Sequence, residues 1–227
     1  RAYGQWSAAI DDYVHEGIME WMGSREFDRL LKNVDPYSYR LRLRMPKMLI
    51  NASGDEFFLP DSWQFYWKDL VGEKHIRYVP NTGHSLDKTD APETLAAFFQ
   101  SIVTDKPRPD FDWRVENGSL IIQTKPGPQP QHIKLWQAYN DSSRDFRVNV
   151  LGKAWTSTDV AMTGNGSYRI TVERPTQGWR AFFVELTYPG FGKVPFKLTT
   201  GVTVVPEQLP FADFKPQQPK GTFAGKK

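Results

Sequence analysis

The chain changes its pattern of apolar positions near residue 104. Before that point, short apolar runs alternate with segments whose apolar residues recur every three or four positions, which is typical of an α/β unit. Beyond residue 110, short stretches of alternating apolar and polar residues follow one another, with turn residues between them. The pattern predicts an α/β segment over residues 1–104, a linker over residues 105–110 and a β-sandwich over residues 111–211.

Residues 46–104 have the pattern of a βαβα unit. The runs 46–52 (PKMLINA) and 74–80 (KHIRYVP) have the length of buried parallel strands. Residues 60–70 between them have helical spacing, and residues 90–103 predict a closing helix with one apolar face (Leu95, Phe98, Phe99 and Ile102). Because a crossover helix joins parallel strands, we expect a right-handed unit whose two strands end at the same edge of one sheet.

The first 45 residues have helical spacing and no strand pattern. A helix is predicted over residues 8–22, interrupted by Gly17, and a second one follows Ser24 and ends near Val34, before Pro36. Residues 1–45 are therefore predicted to form a helical cap or insertion.

Beyond the linker, seven or eight short strands are predicted. Strand patterns occur at residues 111–115, 120–123, 132–139, 145–151, 154–162, 167–174, 179–188 and 196–205. Asn117-Gly118 is a hairpin signal, and the run 181–186 fits a central strand better than an edge strand. Their number and spacing favour an immunoglobulin- or fibronectin-like sandwich. Residues 212–227 have no apolar period and predict an extended tail.

Composition narrows the possible function classes. The chain has no Cys, which excludes disulfides and thiolate metal sites, and its histidines have no metal-binding spacing, so no metal or cofactor is expected. A net charge of +3, with 29 basic residues scattered among 26 acidic ones, gives no argument for binding nucleic acid. No apolar run approaches the length of a membrane span, so none is expected.

The candidate chemistry lies in the two loops that follow the predicted strands. Ser53-Gly54-Asp55 follows the first strand, and His84 follows the second strand, 29 residues after Asp55. In a serine hydrolase, a carboxylate fixes the tautomer of an imidazole, whose other nitrogen takes the proton of the nucleophile. We interpret Asp55 and His84 as this acid and base. Taken singly, Asp55 also fits a turn or cap residue, and His84 a loop histidine.

A nucleophile for this pair is not found in the chain. No G-x-S-x-G motif occurs, and Ser85 is a poor substitute because a residue adjacent to the base directs its side chain elsewhere. In α/β-hydrolases the chain order is nucleophile, acid, histidine, so we expect the serine upstream of residue 1.

Three motifs around these residues resemble the PhoPQ-activated pathogenicity-related protein family. They are residues 35–40 (DPYSYR), 50–61 (INASGDEFFLPD) and 77–86 (RYVPNTGHSL). The resemblance extends over essentially the whole chain, to about Phe211.

The resemblance implies an exported bacterial protein, periplasmic or secreted, with its signal peptide upstream. It implies an α/β-hydrolase-type domain followed by a small β-domain, with the acid at Asp55, the histidine at His84 and the serine and oxyanion-hole donors before Arg1. The chain would then require the missing N-terminal hydrolase segment, from the same protein or a second chain. Its substrate would contain an ester, amide or peptide bond.

Four aromatic residues are candidates for substrate binding. Phe57 and Phe58 lie in the loop beside the acid and either face the substrate or pack on the sheet. Helical insertions before the acid strand of α/β-hydrolases often form part of the lid, which makes Trp6 and Trp21 candidates for lining the cleft. Core packing is the alternative for both tryptophans.

A non-catalytic role is the alternative function. A hydrolase-like fold does not guarantee hydrolysis, so the protein would then act in binding or signalling through its cleft and β-sandwich. In the sandwich, binding would use exposed aromatic residues such as Tyr188 or Phe191, and packing against the hydrolase domain is the alternative role.

Overall fold

A computed structural model describes residues 1–116, 118–191 and 194–223, without the side chain of Phe191. The helices of this part are α1 (Asp11–His15), α2 (Arg25–Val34), α3 (Ala91–Val103) and α4 (Val148–Leu151). The strands are β1 (Lys47–Ala52), β2 (Lys74–Val79), β3 (Phe111–Glu116), β4 (Ser119–Thr124), β5 (His132–Asn140), β6 (Thr156–Asp159), β7 (Ser167–Thr171), β8 (Trp179–Phe191), β9 (Val194–Thr199) and β10 (Thr203–Val205). The Asn117 turn position, the Phe191 side chain and residues 224–227 of the predicted tail lie outside the described residues.

β1 and β2 form a two-stranded parallel sheet at the two predicted strand positions. Their register runs from Lys47 opposite Lys74 to Ala52 opposite Val79, so both strands end at the same edge. β2 is almost entirely buried, whereas most of β1 is only half-buried. Among the described residues neither strand pairs with a third one, and this leaves the outer edge of β1 uncovered.

The segment between β1 and β2 is not the predicted α-helix. It forms two short 3₁₀ turns, Ser62–Phe65 and Trp67–Asp69. The indole Nε1 of Trp63 donates a hydrogen bond to the carbonyl of Val202 at 2.7 Å, and the rings of Trp63 and Trp67 pack against Trp113. Aromatic residues have modest helix propensity, and here their contacts with a distant part of the chain determine the backbone path.

The predicted helix over residues 8–22 is broken into short pieces. Gly17 adopts a left-handed conformation (φ 66°), which ends the helical stretch after α1 and starts a 3₁₀ turn at Ile18–Trp21. α2 occurs where it was predicted, and the hydroxyl of Ser24 accepts the Phe27 N–H at 3.1 Å as an N-cap.

α3 has the predicted bounds, but of its predicted apolar face only Phe98 packs against the core. The fully buried residues of the helix are small (Ala91, Thr94, Ala97 and Ser101), and they let the helix approach β9 and β8 closely. Leu95 and Phe99 are 54% and 65% exposed, and Ile102 is also exposed. Most of the apolar face of α3 is therefore uncovered in the described part of the chain.

The remaining strands form two antiparallel sheets with a shared core. One sheet has the order β10-β8-β5-β6, with β9 also paired to β8, and the other has the order β3-β4-β7. Apolar residues of both sheets, such as Leu120, Ile122, Val184 and Leu186, meet in one cluster. The model is thus mixed α and β, and the immunoglobulin-like topology stays a prediction.

Two of the predicted strands are corrected. Residues 145–151 contain α4 instead of a strand, because the Asp145 carboxylate accepts the Arg147 N–H and forms a local turn. Residues 196–205 are divided between β9 and β10, which pair with different parts of β8.

β8 is a central strand covered on both faces. Phe182 and Val184 face the three-stranded sheet, whereas Phe183 packs in a second cluster with Ile76 and Tyr78 of β2. This explains why residues 181–184 are all apolar and do not alternate with polar residues. Tyr188 is fully buried in the first cluster, so its interpretation as an exposed binding residue was wrong.

The described part of the chain after β10 packs against the N-terminal helices. The N–H of Lys220 donates to the Glu20 carbonyl at 2.8 Å, and Phe223 forms a β-bridge with Ser24. No helix within the described ranges is long and apolar enough to cross a membrane.

Candidate active site

The loops after β1 and β2 are hydrogen-bonded to each other. The N–H of Ser53 donates to the Val79 carbonyl at 2.9 Å, and the N–H of Gly54 donates to the Thr82 carbonyl at 3.1 Å. The hydroxyl of Ser53 accepts the Asn81 N–H at 3.2 Å. Because the strands are parallel and in register, these contacts place the residues that follow each strand side by side.

Asp55 has both the capping role and the orientation expected of an acid. It is 7% exposed, and its Oδ1 accepts the N–H groups of Phe57 at 2.8 Å and Phe58 at 3.0 Å. Its Oδ2 lies 2.9 Å from Nδ1 of His84. The carboxylate is therefore held by the turn that it caps, with one oxygen left for the imidazole.

The geometry of the pair assigns the tautomer of His84. A carboxylate oxygen only accepts hydrogen bonds, so we assign the proton to Nδ1 and a lone pair to Nε2. The His84 side chain is 45% exposed, and within the described ranges Nε2 has no hydrogen-bond partner. The imidazole can thus accept a proton at Nε2 from a group that approaches from outside these residues.

Two of the four aromatic candidates contact the imidazole. The ring of Phe57 meets the His84 ring edge to face at 4.7 Å between centroids, and the Phe58 ring lies at 5.6 Å. Both phenylalanines are exposed, at 37% and 57%. They form an apolar wall on the accessible side of the pair.

Trp6 and Trp21 pack against the C-terminal tail. The ring of Trp6 meets Phe214 at 4.8 Å, and Trp21 packs against Gly221. In the part of the chain that the structure describes, these contacts of Trp6 and Trp21 are with the tail and not with Asp55 or His84.

Comparison with known proteins gives one family match and one curated relative. Residues 1–147 match the family model of the PhoPQ-activated pathogenicity-related protein. The chain belongs to this family. An autocrine proliferation repressor protein A of Dictyostelium discoideum is 39% identical over 237 residues, which cover 92% of this chain and 48% of that protein. The chain thus spans about half the length of this curated relative. No solved structure matches the chain.

Glu56 also contacts the histidine loop, although its sequence pattern did not indicate this. Its Oε2 accepts the backbone N–H of His84 at 2.8 Å. Its carboxylate occupies the space beside Gly83, so a larger side chain at position 83 would displace the carboxylate from this position. The position directly after a strand indicates Asp55 and not Glu56. The one sequence signal for Glu56 is that it follows Asp55 directly.

Asp61, a second buried carboxylate in the segment after Asp55, forms an ion pair with Arg144. Its Oδ2 lies 2.5 Å from Nη2 of Arg144, and both side chains are almost completely buried. This ion pair joins the loop after Asp55 to the segment before α4. Its place in the interior indicates a structural role in this family member.

His75 and Glu73 form a second histidine–carboxylate pair, but the imidazole of this pair is buried. Its Nε2 is 2.7 Å from Glu73, and its ring packs near Phe98 and Phe196. Burial lowers the pKa of His75 more than Glu73 raises it, so the ring is neutral at pH 7 despite the nearby carboxylate. The hydrogen bonds from Arg108 lower the pKa of Glu73 to about 2.

The described residues contain no group of three or more His, Asp or Glu side chains placed to hold a metal ion.

Proposed function

We propose that this chain supplies the acid and the base of a Ser-His-Asp serine hydrolase whose nucleophile lies upstream. One observation carries the proposal. A buried carboxylate, held by two backbone N–H groups, is hydrogen-bonded at 2.9 Å to the Nδ1 of an imidazole whose Nε2 side is accessible. Asp55 and His84 follow two adjacent parallel strands, where α/β folds place their catalytic groups.

In the proposed reaction, Nε2 of His84 takes the proton of the serine hydroxyl as the oxygen attacks the carbonyl carbon of the substrate. Asp55 stabilises the imidazolium that forms without taking its proton. The imidazolium then donates the proton to the leaving group, and a water molecule repeats the sequence to release the acyl group. Phe57 and Phe58 exclude water beside the imidazole and contact the substrate, which would contain an ester, amide or peptide bond.

We also propose that β1, β2 and α3 are the end of an α/β-hydrolase domain that an upstream segment completes. Three features support this: the unpaired outer edge of β1, the uncovered apolar face of α3 and a relative about twice as long as this chain. An unpaired, half-buried strand edge and a row of exposed apolar side chains are costly in water, so both favour a covering segment. The two antiparallel sheets with a shared core support the finer proposal of an immunoglobulin- or fibronectin-like sandwich for residues 111–211.

The test uses the complete protein and a fluorophosphonate probe, which reacts with activated serine nucleophiles. We expect covalent labelling of the wild-type protein and at least about a 1,000-fold slower reaction in His84→Ala, since the hydroxyl then has no base. His132→Ala is the matched control, because His132 is an exposed histidine at the start of β5. Absence of labelling, or equal labelling in His84→Ala, would refute the hydrolase proposal.

A binding or signalling role is the second candidate. The relative from Dictyostelium discoideum is named as an autocrine proliferation repressor, and this name does not describe an enzyme. If that role applies here, a repressor assay with the complete protein should give the same response for His84→Ala and for the wild-type protein. Under the hydrolase proposal, the response should disappear together with the labelling.

We propose further that the complete protein is exported to the periplasm or the medium. The motifs quoted for the family resemblance support this. Immunoblotting of cell fractions from the native host tests it, with retention in the cytoplasm as the contrary result.

A further inference from the structure

Asn81, three residues before His84, is hydrogen-bonded to the backbone of a residue 74 positions away. Its side-chain Nδ2 donates to the Trp155 carbonyl at 2.8 Å, and its Oδ1 accepts the Trp155 N–H at 2.9 Å. The amide thus pairs with Trp155 on both sides, as a residue of a neighbouring strand would. Asn81 has a positive φ of 59°, a conformation that asparagine adopts more readily than most residues.

The acid loop contacts the same region through Gly54. The N–H of Val148, the first residue of α4, donates to the Gly54 carbonyl at 2.8 Å. A side chain at position 54 would meet the Val148 Cβ at 3.0 Å and the Thr82 carbonyl at 3.1 Å. The close approach of the two segments therefore favours a glycine directly before Asp55, because a larger residue would push them apart by a few tenths of an ångström.

Residues 148–155 are held by the core of the C-terminal strands. Trp155 is 3% exposed, and its ring packs against Phe183 of β8 at 5.2 Å and Phe146 at 6.3 Å. The two hydrogen bonds of Asn81 and the one of Gly54 thus connect both loops to the same segment, which Trp155 anchors in the core. Ser53, Asp55 and Thr82 are buried, but Gly83, His84 and Ser85 are half-buried or exposed, so side-chain packing does little to hold the part of the loop that contains the histidine.

We infer that residues 148–155 position the acid–base pair, and that Asn81 and Val148 are positioning residues for the proposed hydrolase. This rests on the proposed function. The segment keeps the Asp55 and His84 loops at the separation that the 2.9 Å hydrogen bond requires. The C-terminal strands then contribute to the active site indirectly, because they hold the segment that orients the His84 imidazole.

Two variants of the complete protein remove these contacts separately. Asn81→Gly keeps the positive φ accessible and deletes both bonds to Trp155. Val148→Pro removes the N–H that donates to Gly54 and places the proline ring against the Gly54 carbonyl, so it breaks this contact and moves the two segments apart. The local backbone otherwise accepts proline, because residue 148 is the first helical residue and Arg147 already has an extended ψ of 141°. Asn165→Gly is the control, since Asn165 accepts the Ser167 N–H in an exposed turn without a recorded contact to either loop.

We expect both variants to lower the maximal rate of fluorophosphonate labelling by about 10- to 100-fold. The probe concentration for half-maximal rate should stay within about twofold, because orientation and not binding is lost. Asn165→Gly should label as the wild-type protein does. Wild-type rates in both loop variants, each with an unchanged circular dichroism spectrum, would overturn the inference. If one variant does not fold, the other decides.

A second readout separates this inference from the proposed function. The proton on Nδ1 of His84, hydrogen-bonded to Asp55, gives a far-downfield ¹H NMR signal that does not depend on turnover. If fluorophosphonate does not label the wild-type protein, the hydrolase proposal fails. The NMR signal then tests by itself whether residues 148–155 position the Asp55–His84 pair. Its loss in both loop variants supports positioning, and its persistence in both refutes it.

Discussion

Asp55→Asn is the most direct perturbation of the acid–base pair, because it keeps the shape of the side chain and changes only its donors and acceptors. An asparagine has one acceptor oxygen and one donor nitrogen in place of two acceptors. We expect the amide oxygen of the asparagine to take the position of Oδ1, because the N–H groups of Phe57 and Phe58 both donate to that position. Its NH₂ group then faces Nδ1 of His84 and donates to it.

This orientation reverses the tautomer of the imidazole. Nδ1 of His84 must accept a hydrogen bond, so the proton moves to Nε2, which can no longer take a proton from the nucleophile. The equivalent change in a well-studied triad lowers kcat about 10⁴-fold, or about 5 kcal/mol in transition-state stabilisation. Stability should change much less. All three contacts remain but lose the charged acceptor, so we expect the free energy of unfolding to fall by about 1–2 kcal/mol.

The assay combines labelling with a direct view of the tautomer. The complete Asp55→Asn protein is treated with fluorophosphonate, and the imidazole nitrogens of His84 are observed by ¹⁵N NMR at neutral pH. We expect labelling slower by about 10⁴-fold and the proton on Nε2. Labelling within about tenfold of the wild-type rate, or a proton still on Nδ1, would refute this reasoning about the pair.

Three other predictions concern stability. Folding lowers the pKa of the buried His75 below its ordinary 6.5, so the free energy of unfolding should fall as the pH drops below about 6.5, and urea unfolding of His75→Gln should lack this part of the pH dependence. Arg144→Met leaves the Asp61 carboxylate buried without its cation and should cost about 3–5 kcal/mol in urea unfolding, whereas the double variant Asp61→Leu/Arg144→Met should recover most of this loss. In the complete protein, Phe99→Lys should destabilise by about 2 kcal/mol if an upstream segment covers α3, and Met162→Lys in an exposed loop should not; equal effects would contradict that covering.

Helices and strands were predictable from the sequence where residues close in the chain determine their conformation. The two apolar runs became β1 and β2, and Ser24 caps α2 through a bond to a residue three positions later. The proximity of Asp55 and His84 was also predictable, because parallel strands in register bring their ends together whatever else the chain does. These features depend on short-range pattern and on one general rule of sheet geometry.

The errors fall where distant contacts compete with local propensity. The aromatic residues of positions 60–70 have helical spacing, yet Trp63 is hydrogen-bonded to Val202, 139 residues away, and the helix does not form. The apolar side of α3 was expected to be buried, but β9 packs against its small residues. Neither outcome is visible in the spacing of the segment itself.

The sequence by itself determined the parallel strands, their order and the two residues that follow them, since each is encoded within a few neighbouring positions. Only the tertiary structure showed that Oδ2 of Asp55 faces Nδ1 of His84 and that Glu56 holds the His84 backbone. It alone placed Asn81 against Trp155. The physical reason is that hydrogen bonds between residues 74 positions apart depend on how whole sheets pack, and the packing of β8 between β2 and the three-stranded sheet is a property of the entire chain.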